Sequence, residues 1–441
     1  MKQPNILFIT CHDLGDYLGC YGTPVETPCI DSIAQHGVQL CNHFSTATIC
    51  SPARGAILTG CYQHTNGLMG LVHRGWNLDV EHCPTLPATL AQNGWQTALF
   101  GFQHEHMQPK ELGYQEIHAG KDAHCENVVP LFEEWLAGRG GSDKPFYAAM
   151  GFSEVHRMGM NPSHFRMEGY PYADPAEVEV RPYLPDIPET RQDLSEFYGA
   201  IRYMDHWVGR ALQALERAGL RENTLVIFTT DHGASFMHSK ATLYDGGTRV
   251  AFLASLPGRL PEGLRVQAIT SHVDILPTML AQLGVPAPEG VQGRDVSAIL
   301  SGSASGRDYA FSEENYNNHF VPGRAVRSER YRYIKNGLQI NIFDFLIPEI
   351  ELSTSDFRKN RKVFDFYSAE RVLEELYDHQ SDPGELHNLA ADPAYSEILA
   401  EHQAALARHM EKTNDPFAQF QNGLLMPQNA YTRLRELRPY R

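Results

Sequence analysis

The sequence predicts an α/β fold, with a large, mostly parallel central sheet flanked by helices and a smaller C-terminal α+β domain behind it. Three observations lead there. Apolar runs alternate with helical patterns through the first three quarters of the 441 residues, the signature of strands joined by crossover helices. One long stretch repeats apolar residues at spacings of three and four. After about residue 305 the long helical patterns give way to short strand-like pieces.

In chain order, Ile6–Thr10, Thr97–Gly101, Phe146–Phe152, Leu225–Thr230 and Val250–Ser255 are short apolar runs of the kind that a parallel sheet buries on both faces. Between the third and fourth, Leu194, Tyr198, Ile201, Met204, Val208, Leu212 and Leu215 form the stripe of one amphipathic helix, and Gly219 ends it. Further on, Arg324–Arg327 and Tyr331–Ile334 are strand-like. Ala394–Met410 reads as a helix, with Asp392 and Pro393 as its cap and first turn. The expected division is residues 1–305 for the larger domain and 306–441 for the smaller. No repeat or low-complexity tract interrupts the pattern.

Hydrophobic residues at 42% and charged residues at 20% are ordinary for a globular protein. No apolar run approaches the roughly 20 residues that a bilayer requires, so no membrane partner is expected. The net charge of -16 argues against nucleic acid or a long sulfated polymer, which would be repelled at a distance. An anionic substrate should therefore be small and held by local positive charge. Residues 1–5 run directly into an apolar strand with no cleavable leader, which predicts a cytoplasmic protein; a leader trimmed away would make it periplasmic or secreted. All eight cysteines, from Cys11 to Cys125, lack CxxC or zinc-ligand spacing, and without a leader they are expected as free thiols. Composition says nothing of oligomeric state.

Two of the strands end in acidic residues: the first enters Cys11-His12-Asp13-Leu14-Gly15 and the fourth enters Asp231-His232-Gly233. In an open parallel sheet the carboxyl ends share one edge, where ligands bind, so Asp13 and Asp231 should converge there. Two more strands carry His104 and His156 to the same edge. The segment from Lys240 to Val250 adds an ammonium just beyond Asp231. An aspartate after a strand is more often a turn cap, and a lysine more often a solvated surface group. It is the combination that points to chemistry.

Cys50-Ser51-Pro52-Ala53-Arg54 has the Cys-x-Pro-x-Arg pattern. With the segments around Asp13, Asp231 and Lys240, and with Glu375-Leu376-Tyr377-Asp378 through Asn388-Leu389, it resembles the type I, formylglycine-dependent sulfatase family of the alkaline-phosphatase-like superfamily. His12-Asp13-Leu14-Gly15 and the His156-Arg157 pair are similar to the heparan N-sulfatase (sulfamidase) branch. The resemblance implies a hydrolase that removes sulfate, as ester or sulfamate, from a small sulfated sugar. It implies Cys50 oxidised to formylglycine by a formylglycine-generating enzyme. It also implies Ca2+, or alternatively Mg2+ or Mn2+, held by Asp13, Asp231 and His232, with His12 and the side chain of residue 50 at the metal. Arg54 and Lys240 would neutralise the sulfate, His156 would be the general acid and His104 the base that breaks down the covalent intermediate; either histidine could instead only hydrogen-bond sulfate.

Substrate contacts are expected from Arg157 and His106, beside Glu105, and from His319 in the stretch Glu313–His319, which reads equally as a sugar subsite or an exposed loop. The chain departs from the family pattern at three places. His12 stands where the family has an aspartate, Phe102 where it has a lysine, and His232 where many members have asparagine. The last favours one rival, a phosphonate monoester or phosphodiester hydrolase on the same fold; a non-catalytic relative that binds sulfated ligands is a separate alternative, against which the intact set of Cys50, Arg54, Asp13, Asp231 and Lys240 speaks.

Overall fold

The computed structural model describes residues 2–157, 165, 171–316, 320–337 and 372–419. Its centre is an eight-stranded sheet built from β1 (Asn5–Cys11), β2 (Val38–Phe44), β3 (Gln96–Gly101), β4 (Glu116–His118), β5 (Phe146–Gly151), β6 (Thr224–Thr230), β7 (Phe252–Ser255) and β8 (Leu264–Ser271). The spatial order is β4-β3-β5-β1-β6-β7-β2-β8. β1 sits between β5 and β6, parallel to both, with Thr10 opposite Gly151 and Thr229. Every residue of β1, β5 and β6 is buried, as helices on both faces of a parallel sheet require. Position in the sheet explains the unbroken apolar runs.

The expected strand at Val250–Ser255 is shorter, beginning at Phe252, and it is antiparallel to both β6 and β2. A short apolar run carries no sign of its direction, and β7 therefore does not deliver its end to the shared edge. β2, β4 and β8 were not anticipated. β2 contains Gln39, Asn42 and His43, and β8 contains Arg265 and Gln267, polar interruptions that hide a strand near the sheet edge.

The long helix spans Pro188–Arg217, and all seven residues of the expected stripe are buried in the core that covers one face of the sheet. Ala218 caps it, and Gly219 follows with φ +65°, a conformation that other residues resist. The Cys50–Thr59 helix packs Ile57 and Leu58 into the other core cluster, with Ile6, Phe8 and Tyr147, and every residue of it is buried, including Arg54. A helix with no solvated face is a core element.

The second sheet is antiparallel, β12-β11-β10-β9, made of β9 (Ala310–Tyr316), β10 (Phe320–Arg327), β11 (Tyr331–Asn336) and β12 (Glu374–Asp378). The Ser396–Thr413 helix packs Ala405, Leu406 and Met410 onto Val326, Tyr333 and Leu376 of this sheet. Before the helix, Pro393–Tyr395 forms a separate 3-10 turn, and the Asp392 side chain accepts from the Ala394 amide at 2.9 Å. Among the described residues no helix is long and apolar enough to cross a membrane.

Buried arginines join the two sheets. Arg332, on β11 and wholly buried, donates from Nε to Glu385 at 2.8 Å, and from its terminal nitrogens to the Leu243 carbonyl at 3.0 Å and Asp245 at 2.8 Å. The C-terminal sheet thus holds the segment that follows Lys240. Removing one member of a buried ion network leaves its partners charged in a low dielectric, which costs about 3–5 kcal/mol. Arg332→Ala is accordingly expected to lower the denaturant midpoint substantially. A midpoint equal to that of the parent would show that the junction is held by apolar packing instead.

Candidate active site

Asp13 lies just past β1 with φ +49° and donates its backbone N–H to Asp231 Oδ1 at 3.0 Å. Asp231 lies just past β6. The two strands are in register up to Cys11 and Thr230, so their first residues beyond the ladder meet at once. Leu14 N–H to Thr230 Oγ1 at 3.2 Å and Gly15 N–H to the His232 carbonyl at 3.0 Å continue the zipper. Both carboxylates are fully buried. Gly233 is required here, because a Cβ on it would lie 1.7 Å from the Gly246 carbonyl oxygen.

Cations surround the pair. Lys240 Nζ donates to Asp13 Oδ2 at 2.6 Å and lies 3.1 Å from His156 Nε2. Arg54 donates from Nε to Asp231 Oδ2 at 3.0 Å and from Nη2 to the Cys11 carbonyl at 3.0 Å. His12 Nδ1 lies 3.1 Å from Asp231 Oδ2, and His232 Nε2 lies 3.3 Å from Asp13 Oδ1 and 3.5 Å from Cys50 Sγ. Burial alone would push Asp13 up, but Lys240, His156 and His232 bring its carboxyl down to about 2. Asp231 is held well below the usual carboxylate range against its burial by His232, His12 and Arg54. Burial and Arg54 disfavour the charged His12 imidazole, yet Asp231 and its neighbours push it up to about 10.

Cys50 opens its helix, with Ile49 as N-cap. Burial raises its thiol, but Lys240, His12 and His104 outweigh that and hold it well below the usual thiol range. Arg54 follows one turn later on the same helix, and so faces the same carboxylates. The helix N-terminus also favours negative charge at residue 50.

The expected residues separate into those at the centre and those outside it. His12, Asp13, Cys50, Arg54, Asp231, His232, Lys240 and His156 form one contact network. His104 approaches Cys50 and stacks edgewise on Phe102, 5.4 Å between ring centroids. Phe102 fills the space beside Arg54, 5.1 Å away, and His12, 4.3 Å away. His156 is partly exposed.

The substrate-contact expectations fare differently. Arg157 is 1% exposed and spends its guanidinium on Asp193, at 2.8 and 2.5 Å, and on the Ser235 carbonyl at 2.6 Å. It also lies over Phe165 and Phe236. It is a core clamp, which corrects its assignment to substrate. Glu105 turns inward too, its carboxylate accepting from the His104 amide at 2.6 Å. His106 pairs its Nδ1 with the backbone of Gln108 and makes no bond to the central network. Glu313 to Tyr316 are buried in β9, not an exposed loop, and Glu313 holds His64 at 2.6 Å. His319, with Asn317 and Asn318, lies outside the described residues.

Sequence reasoning passed over His73, whose Nδ1 is 3.2 Å from His104 Nε2, and Glu154, which is buried and receives the amide of Cys125 and the imidazole of His124. Neither carries a motif or a spacing that would have singled it out.

The donor set suits a divalent cation. One ligand atom from each of Asp13, Cys50, Asp231 and His232 lies within 4.8 Å of the others, and the same holds for His12, Asp13, Cys50 and His156. Asp13 Oδ1 is buried without an aligned hydrogen-bond partner, which a metal would satisfy. A third cluster, His64, Glu313 and Asp415, is instead an ion-pair network, because Arg324 bonds Asp415 through two nitrogens at 2.5 and 2.8 Å.

Comparison with known proteins follows the same lines. The sulfatase family model matches residues 4–285, and that of the N-sulphoglucosamine sulphohydrolase C-terminal region matches 232–351. Human N-sulphoglucosamine sulphohydrolase is 27% identical, covering 96% of this chain and 93% of that protein. BT4656, solved with its substrate D-glucosamine-2-N,6-O-disulfate, superposes with a TM-score of 0.69 at 17% identity over 96% of this chain and all (100%) of that one. The phosphonate monoester hydrolase of Agrobacterium radiobacter gives 0.71 at 21% identity over 93% and 96%. At these identities the two structures speak for the fold alone.

Asp13→Ala and Asp231→Ala are each expected to abolish stoichiometric divalent metal, measured by elemental analysis of purified protein. Retention of the parent's metal content by both variants would place the cation elsewhere.

Proposed function

The chain belongs to the sulfatase family, and from that premise we propose that it hydrolyses a sulfate ester or sulfamate on a small sulfated sugar, with an N-sulfated glucosamine as the leading substrate. The observation that carries this reading is the position of Cys50. It sits at a buried helix N-terminus, against His232 and within the field of Lys240 and His12, in a Cys-x-Pro-x-Arg sequence. The names of the human relative and of the BT4656 substrate support the sugar.

A simple thiol is poorly suited to a stable sulfate ester. Cys50 oxidised to formylglycine by a formylglycine-generating enzyme supplies the nucleophile, and its oxygen takes the place of Sγ. A divalent cation held by Asp13, Asp231 and His232 supplies positive charge against the anionic substrate; calcium suits the two carboxylates, with magnesium and manganese as alternatives, the latter favoured by imidazole. The protein does the rest with its own side chains. Lys240, fixed by Asp13, presents an ammonium beside His156 and can hold a sulfate oxygen. Arg54 acts from behind, orienting Asp231 and the end of β1 with two of its donors. His156, with Nε2 beside Lys240 and partial exposure, protonates the leaving oxygen or nitrogen. His104 removes a proton from residue 50 so that sulfate departs.

A second reading, phosphonate monoester hydrolysis, is favoured by one observation, the imidazole of His232 placed 3.3 Å from Asp13. Side-by-side kcat/KM values on N-sulfated glucosamine and an aryl phosphonate ester decide between them, and preference for the phosphonate would overturn the first reading.

Protein coexpressed with a formylglycine-generating enzyme should carry a residue-50 peptide about 18 Da lighter than the cysteine form, and Cys50→Ala should lose turnover. Full activity in protein whose Cys50 is unmodified by mass spectrometry would refute this nucleophile. His156→Ala is expected to slow a sulfated sugar by about 10²–10⁴ while slowing nitrophenyl sulfate much less, since nitrophenolate leaves without a proton. Equal losses on both would remove His156 from the acid role.

A further inference from the structure

His104 and His73 meet edge to edge. Their ring planes differ by 10°, the centroids are 5.4 Å apart, and His73 Nδ1 lies 3.2 Å from His104 Nε2, so the two nitrogens face each other between nearly coplanar rings. That is the geometry of an N–H···N hydrogen bond. His73 is exposed and stands on the short turn Val72–Arg74, whereas the other nitrogen of His104, Nδ1, is buried on the side where His104 approaches Cys50. The turn is anchored to the nucleophile's helix, because the Val72 amide donates to Ser51 Oγ at 3.1 Å. The residue before His73 thus binds the residue after Cys50. A second tie joins the far side, where the Leu78 amide donates to the Glu105 carbonyl at 3.2 Å.

We propose that His73 is a positioning residue that holds His104 in its Nε2–H tautomer, leaving the Nδ1 lone pair turned inward toward residue 50. Each bond between two neutral imidazoles has one donor and one acceptor, so the pair has two arrangements. If His73 donated, His104 would carry its proton on Nδ1, facing residue 50, and could take none from it. If His104 donates through Nε2, the buried nitrogen is an acceptor, the state a base needs. The inference rests on the reading of His104 as the base, and it adds the residue that prepares it.

The test uses the full-length, metal-loaded, formylglycine-bearing enzyme labelled with 15N-histidine. Long-range 15N–1H spectra, with His104→Ala to assign the signal, should show His104 as the Nε2–H tautomer in the parent and a mixture in His73→Ala. Turnover of His73→Ala should fall about tenfold in kcat with KM little changed. His73→Asn, whose amide oxygen can accept the same N–H, should recover most of it. The double variant His73→Ala/His104→Ala should be no slower than His104→Ala alone. An Nδ1–H tautomer in the parent, or a His104 spectrum unmoved by His73→Ala, overturns the proposal. A tautomer that shifts while kcat holds leaves the positioning intact and removes His104 from the base role. If His73→Ala misfolds, the parent spectrum and His73→Asn still decide.

Discussion

Asp13 and Asp231 are placed side by side without contact with solvent, and the surrounding structure answers the charge they create. Two carboxylates in a low dielectric are tolerated only with close opposite charge. Lys240, Arg54 and His12 supply part of it, and the remaining unsatisfied oxygen of Asp13 leaves room for a cation. The same positive surroundings that stabilise the aspartates also lower the pKa of residue 50 and suit an anionic substrate. One electrostatic requirement therefore shapes both the burial of the aspartates and the charge of the candidate site.

The sheet makes this arrangement possible. β1, β5 and β6 lie side by side and parallel, so chain segments following them emerge at one edge with fixed spacing. The Cys50–Thr59 helix brings Cys50 and Arg54 to that edge from the core, where its complete burial packs both in place. The C-terminal sheet contributes at one remove. Through Arg332 it holds Asp245, and through Asp245 the turn that follows Lys240. The C-terminal sheet thereby bears on the position of the Lys240 ammonium from a distance.

Much of this was legible in the residues. The runs of β1, β5 and β6 read as buried strands because both of their faces are apolar, and the long helix read from its stripe because one of its faces is not. β2 and β8 were hidden by their polar residues, and the reversed direction of β7 left no mark in its short run. Within the site, the aspartates, Cys50, Arg54 and Lys240 stood out through strand ends and motifs. Arg157 was misjudged because adjacency in sequence says nothing about the direction of a side chain; neighbours on a loop point in different directions, and this one turns into the core.

Hydrophobic periodicity and local motif chemistry are properties of short stretches, and they determined the α/β class, the strands at the centre and the choice of Cys50, Asp13 and Asp231 as candidate site residues. Tertiary structure decided everything that depends on distance across the chain: that Lys240 rests on Asp13, that Phe102 fills the space between Arg54 and His12, and that His73 meets His104. Such pairings arise from the packing of distant segments against one another. They are set by the three-dimensional register of the whole sheet, which no single stretch of sequence contains.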